Sequence, residues 1–301
     1  MADDTKRTKK LIDKLIDKLI VQPGSRVSLA ERAPDWTGQI ADRAEAERLL
    51  ARGVEALARQ QDMLYAQDTY ALLVIFQALD AAGKDGTIKH VMSGVNPQGC
   101  QVFSFKAPSA EERDHDYLWR SVKALPERGR IGIHNRSYYE EVLIARVHPE
   151  ILQSQQLPPA RKTRAIWTQR FDQINGFERH LVENGIVVLK FYLHVSADEQ
   201  KRRFLERIDQ PEKNWKFSSA DVKERQFWKD YRKAYEDVFR HTSTRRAPWF
   251  IVPADNKWFT RFAVSAIIVR TLEQLELSYP ILSDSQRRDL LAARQMLLSE
   301  S

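Results

Sequence analysis

Short, continuous apolar runs recur along the middle of this chain. Residues 71–76 (Ala-Leu-Leu-Val-Ile-Phe) contain no polar position and include β-branched side chains. This pattern is typical of a strand buried on both faces of a parallel sheet, because neither face then needs polar side chains. Four further runs of similar character occur at residues 101–105, 130–134, 186–194 and 249–252.

Helical patterns lie between these runs. Residues 86–92 follow the first run, residues 110–124 follow the second, and residues 170–183 precede the fourth. An alternation of strands and helices is the signature of a parallel α/β fold. We therefore predict a parallel five-stranded sheet flanked by helices.

The amino-terminal segment has a different pattern, in which the apolar pairs at 11–12, 15–16 and 19–20 alternate with Asp-Lys pairs. This spacing predicts an amphipathic helix that ends before Pro23, followed by an extended connector over residues 25–40 and a long helix over 41–68. The first helix is either a docking or oligomerisation helix or a membrane-surface helix. No apolar run approaches the roughly 20 residues of a membrane span, so we expect no membrane partner.

Residues 196–244 are densely charged and aromatic and include Lys201-Arg202-Arg203. They are interpreted as a helical lid inserted over a site. The chain is therefore predicted to form a single domain over residues 1–301. Its parts are a helical arm at 1–68, an α/β core at 69–195 and 245–301, and a lid region at 196–244. From Trp258 to the end we predict an amphipathic helix packed on the sheet.

Composition narrows the class of protein. The chain has 301 residues, of which 43% are hydrophobic, so it can bury a sizeable core and is not intrinsically disordered. Its 48 Lys and Arg residues exceed its 41 Asp and Glu residues, and a net charge of +7 favours a polyanionic partner. The single Cys100 excludes an internal disulfide, and a reducing cytoplasm is the expected location.

A candidate phosphate-binding turn follows the first predicted strand. Residues 78–87 read Ala-Leu-Asp-Ala-Ala-Gly-Lys-Asp-Gly-Thr, with a helical pattern after them. A P-loop has this context: a strand, then a turn of small residues that contains Gly-Lys, then the start of a helix. The backbone N–H groups and the lysine of a P-loop bind phosphate. Two positions depart from the P-loop pattern, since Ala78 replaces the first glycine and Asp85 replaces the hydroxyl residue. Asp80 is then the better candidate for a metal ligand. The alternative is an ordinary turn that contains glycine.

Polar residues also follow the third predicted strand. Asn135 and Arg136 stand at its carboxyl end, the edge of a parallel sheet where ligands bind. An arginine there can contact a phosphate with two hydrogen bonds. His134, within the strand, is interpreted as a core residue.

Four segments together resemble the polyphosphate kinase 2 family. They are residues 80–89 (Asp-Ala-Ala-Gly-Lys-Asp-Gly-Thr-Ile-Lys), 94–97 (Gly-Val-Asn-Pro), 135–140 (Asn-Arg-Ser-Tyr-Tyr-Glu) and 211–216 (Pro-Glu-Lys-Asn-Trp-Lys). The resemblance spans roughly residues 45–275 and is strongest to the class III branch. It implies a P-loop kinase-like fold and an enzyme that moves phosphoryl groups between inorganic polyphosphate and AMP or ADP. It further implies Mg²⁺ as cofactor, with Mn²⁺ as a substitute, and a homo-oligomer that binds no nucleic acid.

The resemblance also implies roles for individual residues. Catalytic roles fall on Asp80, Lys84, Asn135, Arg136 and Arg207, with Asp80 as metal ligand. Phosphate-binding roles fall on Ala82, Gly83, Lys84, Asp85, Gly86, Thr87, Arg203, Lys213 and Lys216. Tyr139 and Glu140 are the candidate nucleotide-binding residues, although Glu140 could instead complement a helix dipole. Asn135 stands where other branches have Asp, which weakens it as a metal ligand. Arg128, Arg161, Lys162 and Arg164 are further candidates for a channel along polyphosphate.

Two other functions fit parts of this pattern. An ATP-dependent nucleotide kinase would share the fold but need an adenine pocket for its donor. A basic nucleic-acid-binding protein would explain the net charge, but the charge is dispersed and the chain contains no recognised nucleic-acid motif.

Overall fold

The structure is a computed structural model that describes residues 2–300, with side chains from residue 6 onward. Its strands are β1 Ala71–Gln77, β2 Cys100–Ser104, β3 Ile131–Asn135, β4 Ile186–His194 and β5 Trp249–Pro253. They form one sheet in the order β2-β3-β1-β4-β5, and all neighbouring strands are parallel. All five predicted runs form strands, so the predicted α/β fold with a parallel five-stranded sheet is confirmed.

Strand β1 lies at the centre of the sheet, and all its residues are buried. Leu72 and Val74 point into one hydrophobic core, whereas Leu73 and Ile75 point into a second core on the opposite face. This is why the β1 sequence shows a continuous apolar run instead of an alternating one.

Thirteen α-helices occur in residues 2–300. They are α1 Ala2–Leu19, α2 Arg43–Gln67, α3 Lys84–Val91, α4 Ala110–Arg113, α5 Trp119–Val122, α6 Ile144–Val147, α7 Pro149–Ser154, α8 Ile166–Glu183, α9 Ala197–Asp209, α10 Ser219–Glu224, α11 Trp228–Thr242, α12 Lys257–Glu273 and α13 Asp284–Ser299. Short 3-10 helices occupy Leu29–Glu31, Pro97–Gly99, Tyr138–Val142, Pro159–Arg161, Pro211–Lys216 and Arg225–Phe227. Helices α2, α3 and α12 cover one face of the sheet, and α8 and α11 cover the other.

The predicted helix over residues 110–124 is wrong in one respect, because the structure has two short helices there. Between them the Asp116 carboxylate accepts a hydrogen bond from the Leu118 backbone N–H at 2.9 Å. Such a local side-chain bond gives the backbone an alternative to the helical hydrogen bond and breaks the helix.

Helix α1 packs on the core of its own chain. Leu15 and Leu19 are buried there, and the Arg270 guanidinium of α12 donates to the Asp13 carboxylate at 3.0 Å. The docking interpretation of this helix is therefore correct, since its apolar face is not available to a membrane surface. In residues 2–300, none of the helices is long and apolar enough to cross a bilayer.

The carboxyl-terminal prediction is correct in placing a helix against the sheet, wrong in calling that helix amphipathic, and wrong for the helix that follows it. Helix α12 packs against α2 and the sheet and buries eleven residues around its circumference, so it is not amphipathic. Helix α13 buries none of its described residues and does not pack on the sheet. The chain reaches α13 through a turn that contains Glu276, whose φ of 50° is left-handed, and then through an exposed segment.

The predicted lid region also divides into two parts. Helix α11 buries Ala234, Tyr235, Val238 and Phe239 in the second core. Residues 197–227 form the other part, and their helices lie over the carboxyl edge of the sheet. Arg203 anchors the first half of α9, but residues 205–227 bury no side chain, so this stretch has the exposure that a moving element requires.

Candidate active site

A cleft of about 590 Å³ opens at the carboxyl edge of the sheet. Phe76 of β1 pairs in register with Asn135 of β3, so the two strands end side by side. After β1 the chain continues to β2 on one side of β1, whereas β4 lies on the other side of β1. A ligand crevice in a parallel sheet usually lies at such a point. The predicted turn at residues 80–87 and the residues that follow β3 line this cleft together.

The turn after β1 has an unusual backbone. Ala81 and Gly83 both have positive φ, of 60° and 104°, and α3 begins at Lys84 directly afterwards. Glycine adopts this conformation without strain, whereas a side chain at position 83 would not. The result is a compact loop that aims the free N–H groups of the first turn of α3 at the cleft.

The Lys84 ammonium folds back into this loop and donates to the Ala78 carbonyl at 3.0 Å. Burial, together with the nearby Arg136 charge, lowers the pKa of Lys84 to about 8. Asp80, Glu140 and Asp85 act in the opposite direction. Lys84 is therefore still largely protonated at pH 7, but a modest rise in pH would remove its charge.

Arg136 connects the end of β3 to the turn. Its guanidinium donates to the Asp80 carboxylate at 2.6 Å, and its own backbone has a left-handed φ of 65°. A non-glycine residue in this region carries strain that is common at functional sites. Burial alone would lower the pKa of Arg136, but the Glu140 and Asp80 carboxylates raise it. Burial raises the pKa of Glu140, while Arg136 and Lys84 oppose that rise. These four groups therefore form one coupled cluster of charges.

Asn135 is held by the same turn, because its amide nitrogen donates to the Asp85 carboxylate at 2.7 Å. An Asp at position 135 would place two carboxylates at this distance and would repel. Asp85 departs from the P-loop pattern, and Asn135 stands where other branches of the family have Asp. The hydrogen bond between the two side chains makes these departures complementary.

Arg203 of α9 lines the cleft, but its hydrogen bonds do not fit the phosphate-binding role that the sequence suggested. Its side chain is buried and donates to the Glu199 carboxylate and to the carbonyls of Ala81, Ala82, Ala254 and Asp255. These bonds use all five guanidinium N–H donors. Arg203 therefore ties α9 to the phosphate-binding turn and to the end of β5, with no donor left for a phosphate.

The lid contributes three further cations to the cleft wall. Arg207 lies beside the Lys216 carbonyl, Lys213 forms an ion pair with Glu206, and the Lys216 ammonium lies 4.8 Å from the exposed Trp215 ring.

Three more cations line the cleft that were not predicted from the sequence, namely Lys106, Lys257 and Arg261. They follow the carboxyl ends of β2 and β5, so applying the edge rule to every strand would have found them. In all, nine Lys or Arg side chains and three carboxylates line the cleft, a balance suited to a polyanion.

Tyr139 does not lie at the cleft, and its predicted role in nucleotide binding is wrong. Its side chain is completely buried in the second core, where its hydroxyl donates to the Glu178 carboxylate at 2.8 Å and its ring packs on Trp249. A side chain with no exposed surface cannot contact a substrate. His134 is buried as predicted and bonds to the Ala124 carbonyl at 3.0 Å.

The four additional channel candidates also lie elsewhere. Arg128 approaches Gly185 at the amino edge of the sheet, opposite the cleft. Arg161, Lys162 and Arg164 do not line the cleft.

The carboxylates present suit a metal that is shared with substrate. Within residues 6–300, whose side chains the structure describes, no three His, Cys, Asp or Glu side chains lie close enough together to hold a metal ion. Asp80 and Asp85 do face the cleft. Mg²⁺ is commonly bound by one or two carboxylates, with substrate phosphates and water as its other ligands. The site fits that mode and not an all-protein metal cage.

A P-loop-like turn, a cationic cleft and a parallel sheet of this strand order define a P-loop kinase-like phosphotransferase. Comparison with known proteins supports the same class. The family model for Polyphosphate kinase 2 (PPK2) matches residues 40–279. The chain therefore belongs to the polyphosphate kinase 2 family.

Individual relatives agree over most of the chain. An ADP-polyphosphate phosphotransferase of Rhodopseudomonas palustris is 56% identical, over 83% of this chain and 87% of its own length. An AMP/ADP-polyphosphate phosphotransferase of Meiothermus ruber is 43% identical, over 87% of this chain and 95% of its own. The crystal structure of Polyphosphate Kinase 2 from Arthrobacter aurescens superposes with a TM-score of 0.81 at 40% identity, and the match covers 91% of this chain and 95% of that one.

Proposed function

We propose that this protein transfers the terminal phosphoryl group of inorganic polyphosphate to AMP and to ADP, giving ADP and ATP, and catalyses the reverse reactions. The observation that carries the proposal is the cationic cleft around a P-loop-like turn in a chain of this family. The names of the two relatives supply both acceptors. They also specify polyphosphate, so the ATP-dependent kinase is not favoured.

The reaction needs charge stabilisation more than proton transfer. The attacking group is a phosphate oxygen of the acceptor nucleotide, which is already ionised near neutral pH, so no strong general base is required. Catalysis then depends on positioning the reacting groups and on stabilising the charge on the transferred phosphoryl group. We assign that stabilisation to the N–H groups of the turn, to Lys84 and to Arg136. Arg207 has the same proposed role from the side of the cleft that the lid closes.

A divalent cation, Mg²⁺ or Mn²⁺, completes this assignment. Asp80 is its proposed ligand, and Asp85 is the second carboxylate at the cleft. When bound, the ion would neutralise phosphate charge and orient the reacting groups. Asn135 holds Asp85 and thereby sets the orientation of that carboxylate.

Glu140 is the proposed sensor of the acceptor. Its carboxyl group lies close enough to Lys84 and Arg136 for both charges to act on its pKa. An acceptor phosphate near these cations would therefore also meet Glu140, whose negative charge disfavours a more highly charged acceptor. The homo-oligomeric state stays a prediction.

The direct test omits ATP. Purified protein is incubated with AMP, Mg²⁺ and polyphosphate, and the nucleotides formed are separated by chromatography. We expect ADP and then ATP from the wild type, and at least a roughly tenfold lower rate from Lys84→Ala, which is a loss of about 1.4 kcal/mol of transition-state stabilisation. Lys89→Ala, an exposed lysine on the same helix, is the matched control. Phosphorylation of AMP that occurs only when ATP is supplied would contradict the proposal.

A further inference from the structure

Gln200 of α9 is only 3% exposed, and both ends of its amide group form hydrogen bonds. Its Nε2 donates to the Asp80 backbone carbonyl at 2.8 Å, and its Oε1 accepts from the Arg225 guanidinium. A guanidinium can only donate and a carbonyl can only accept, so a side chain between them must supply one acceptor and one donor. The glutamine amide supplies both, and it thereby joins the phosphate-binding turn to the exposed part of the lid, residues 205–227.

At the turn, α9 holds three successive backbone carbonyls. Gln200 holds the carbonyl of Asp80, and Arg203 holds the next two at 3.1 and 2.7 Å. The Asp80 carboxylate is held separately, by the Arg136 guanidinium at 2.6 Å. Because the next residue, Ala81, has a left-handed φ of 60°, the direction of the Asp80 carbonyl sets the course of the loop. A shift of the Gln200 amide would therefore move the backbone that carries the proposed metal ligand.

At the lid, Arg225 stands where the exposed segment returns to the core. It follows α10 and begins the 3-10 helix that leads into α11. Among the residues whose side chains are described, both hydrogen-bond partners of its guanidinium belong to α9, namely Gln200 and the Ala197 carbonyl at 3.1 Å. The preceding Glu224 accepts from the Tyr231 hydroxyl of α11 at 2.9 Å. Closure of the lid would therefore bend the chain here, between α9 and α11.

We propose that Gln200 is a positioning residue for the transfer reaction and couples the position of the lid to that of Asp80. This inference rests on the proposed function. A lid that closes over its substrate moves Arg225, and the flexible Gln200 side chain transmits that movement to the Asp80 backbone while Arg203 keeps α9 in place. Asp80 then takes its reactive position only when the cleft is covered, which limits transfer of the phosphoryl group to water.

Three substitutions separate the two bonds. Gln200→Met removes both, because methionine has a similar length but no amide. Gln200→Glu keeps the acceptor for Arg225 but has no donor for the Asp80 carbonyl. Arg225→Met removes the bonds at the lid and leaves the one at the turn. Lys223→Met and Gln226→Met are the matched controls, since they change exposed side chains next to Arg225 on the same segment.

Hydrogen exchange of the free protein measures the coupling without any reaction. Peptides that cover residues 78–91 report the turn and α3. We expect these peptides to exchange about fivefold faster in both Gln200 variants, the ratio that corresponds to one lost hydrogen bond. Arg225→Met should have the same effect, although its bonds are to α9 and not to the turn. Adding it to Gln200→Met should change nothing further, and both controls should exchange as the wild type does.

Steady-state kinetics with AMP, Mg²⁺ and polyphosphate measures the consequence for the reaction. We expect kcat to fall about tenfold in Gln200→Met and Gln200→Glu, with less than about a twofold change in KM for AMP, because a displaced group affects the transition state more than binding. The Mg²⁺ concentration for half-maximal rate should rise about tenfold, since the residue that orients a metal ligand is lost. A melting curve for each variant checks that the fold is retained.

The inference is overturned if Arg225→Met leaves exchange of residues 78–91 at the wild-type rate, because the lid would then have no connection to the turn. It is also overturned if Arg225→Met speeds this exchange equally with and without Gln200, since the connection would follow another route. Wild-type exchange of the turn in Gln200→Glu, which still pairs with Arg225, would overturn it even if Gln200→Met failed to fold. If the wild type transfers no phosphoryl group from polyphosphate, the proposed function fails, while a turn that responds to Arg225→Met in the free protein still supports the coupling.

Discussion

Lys84 is a cation of the cleft whose charge responds to pH. Burial lowers its pKa to about 8, so in the free enzyme it is protonated below that pH and neutral above it. Because kcat/KM reports groups of the free enzyme, we expect kcat/KM for polyphosphate to fall as pH rises above 8. Bound phosphates favour the charged form, so the corresponding decline in kcat should occur at higher pH.

A comparison of pH–rate profiles checks this assignment. In Lys84→Arg the guanidinium stays charged throughout, so the decline near pH 8 should disappear even if the maximal rate is lower. An unchanged decline in that variant would assign the titration to another group.

The ion pair of Lys190 with Glu178 shows how strongly burial can matter at a single position. The ammonium donates to the carboxylate at 2.6 Å, to the Thr242 carbonyl at 2.7 Å and to the Tyr139 hydroxyl at 3.0 Å, all within the second core. Glu178→Gln would leave the ammonium without its counter-charge. We expect a loss of about 3–5 kcal/mol in the free energy of unfolding, measured by urea denaturation.

The double variant Glu178→Gln/Lys190→Met provides the control for that experiment. Removing both charges leaves no unpaired ion, so the double variant should be more stable than Glu178→Gln alone. Equal or additive losses would show that the two charges are not coupled.

At the scale of elements, α9 holds the phosphate-binding turn through Arg203. A lysine there has three donors in place of five and cannot reach both the turn and the end of β5. We expect Arg203→Lys to lower kcat about tenfold, with a smaller change in KM for AMP, because a displaced turn affects transition-state geometry more than ground-state binding. Steady-state kinetics with a melting curve would measure this.

Arg202→Lys is the matched control, since the neighbouring Arg202 is 60% exposed and pairs with Glu199 within the same helix. Should both variants lose activity equally, the role of Arg203 would be general stabilisation of α9.

The lid is the element whose position we expect to change with substrate. Arg207 lies in the last turn of α9, and Lys213 and Lys216 lie on the 3-10 helix Pro211–Lys216, which buries none of its residues, whereas α11 is anchored in the second core. Hydrogen exchange of residues 200–225 should slow when polyphosphate binds, with α11 equally protected in both states. Identical exchange of residues 200–225 with and without polyphosphate would argue against lid closure.

For the whole molecule, the charge distribution predicts a salt dependence. Nine cations line the cleft, so binding of a polyanion should release several counterions. A plot of log KM for polyphosphate against log NaCl concentration should have a slope steeper than about 3, whereas the slope for AMP should be near 1 or less. Initial rates over a series of NaCl concentrations would give both slopes. Equal slopes would show that polyphosphate makes no more ionic contacts than AMP.

The sequence alone determined the strands and the central part of the site. Strands β1 and β4 were evident because helices cover both faces of a parallel sheet, and burial on both faces produces apolar runs. The turn at residues 80–87 and Arg136 were found because each directly follows a strand, and the carboxyl ends of parallel strands meet at one edge. These signals are local, since they depend on backbone periodicity and on position along the chain.

Only the tertiary structure decided where individual side chains go. Tyr139 and Glu140 are adjacent in sequence, yet the 3-10 helix Tyr138–Val142 directs one into the core and the other toward the charged cluster. Arg203 resembled a phosphate ligand until five oxygen atoms from three separate segments were seen to take its donors. Sequence spacing does not contain such contacts, because they depend on which distant segments the fold brings within hydrogen-bonding distance.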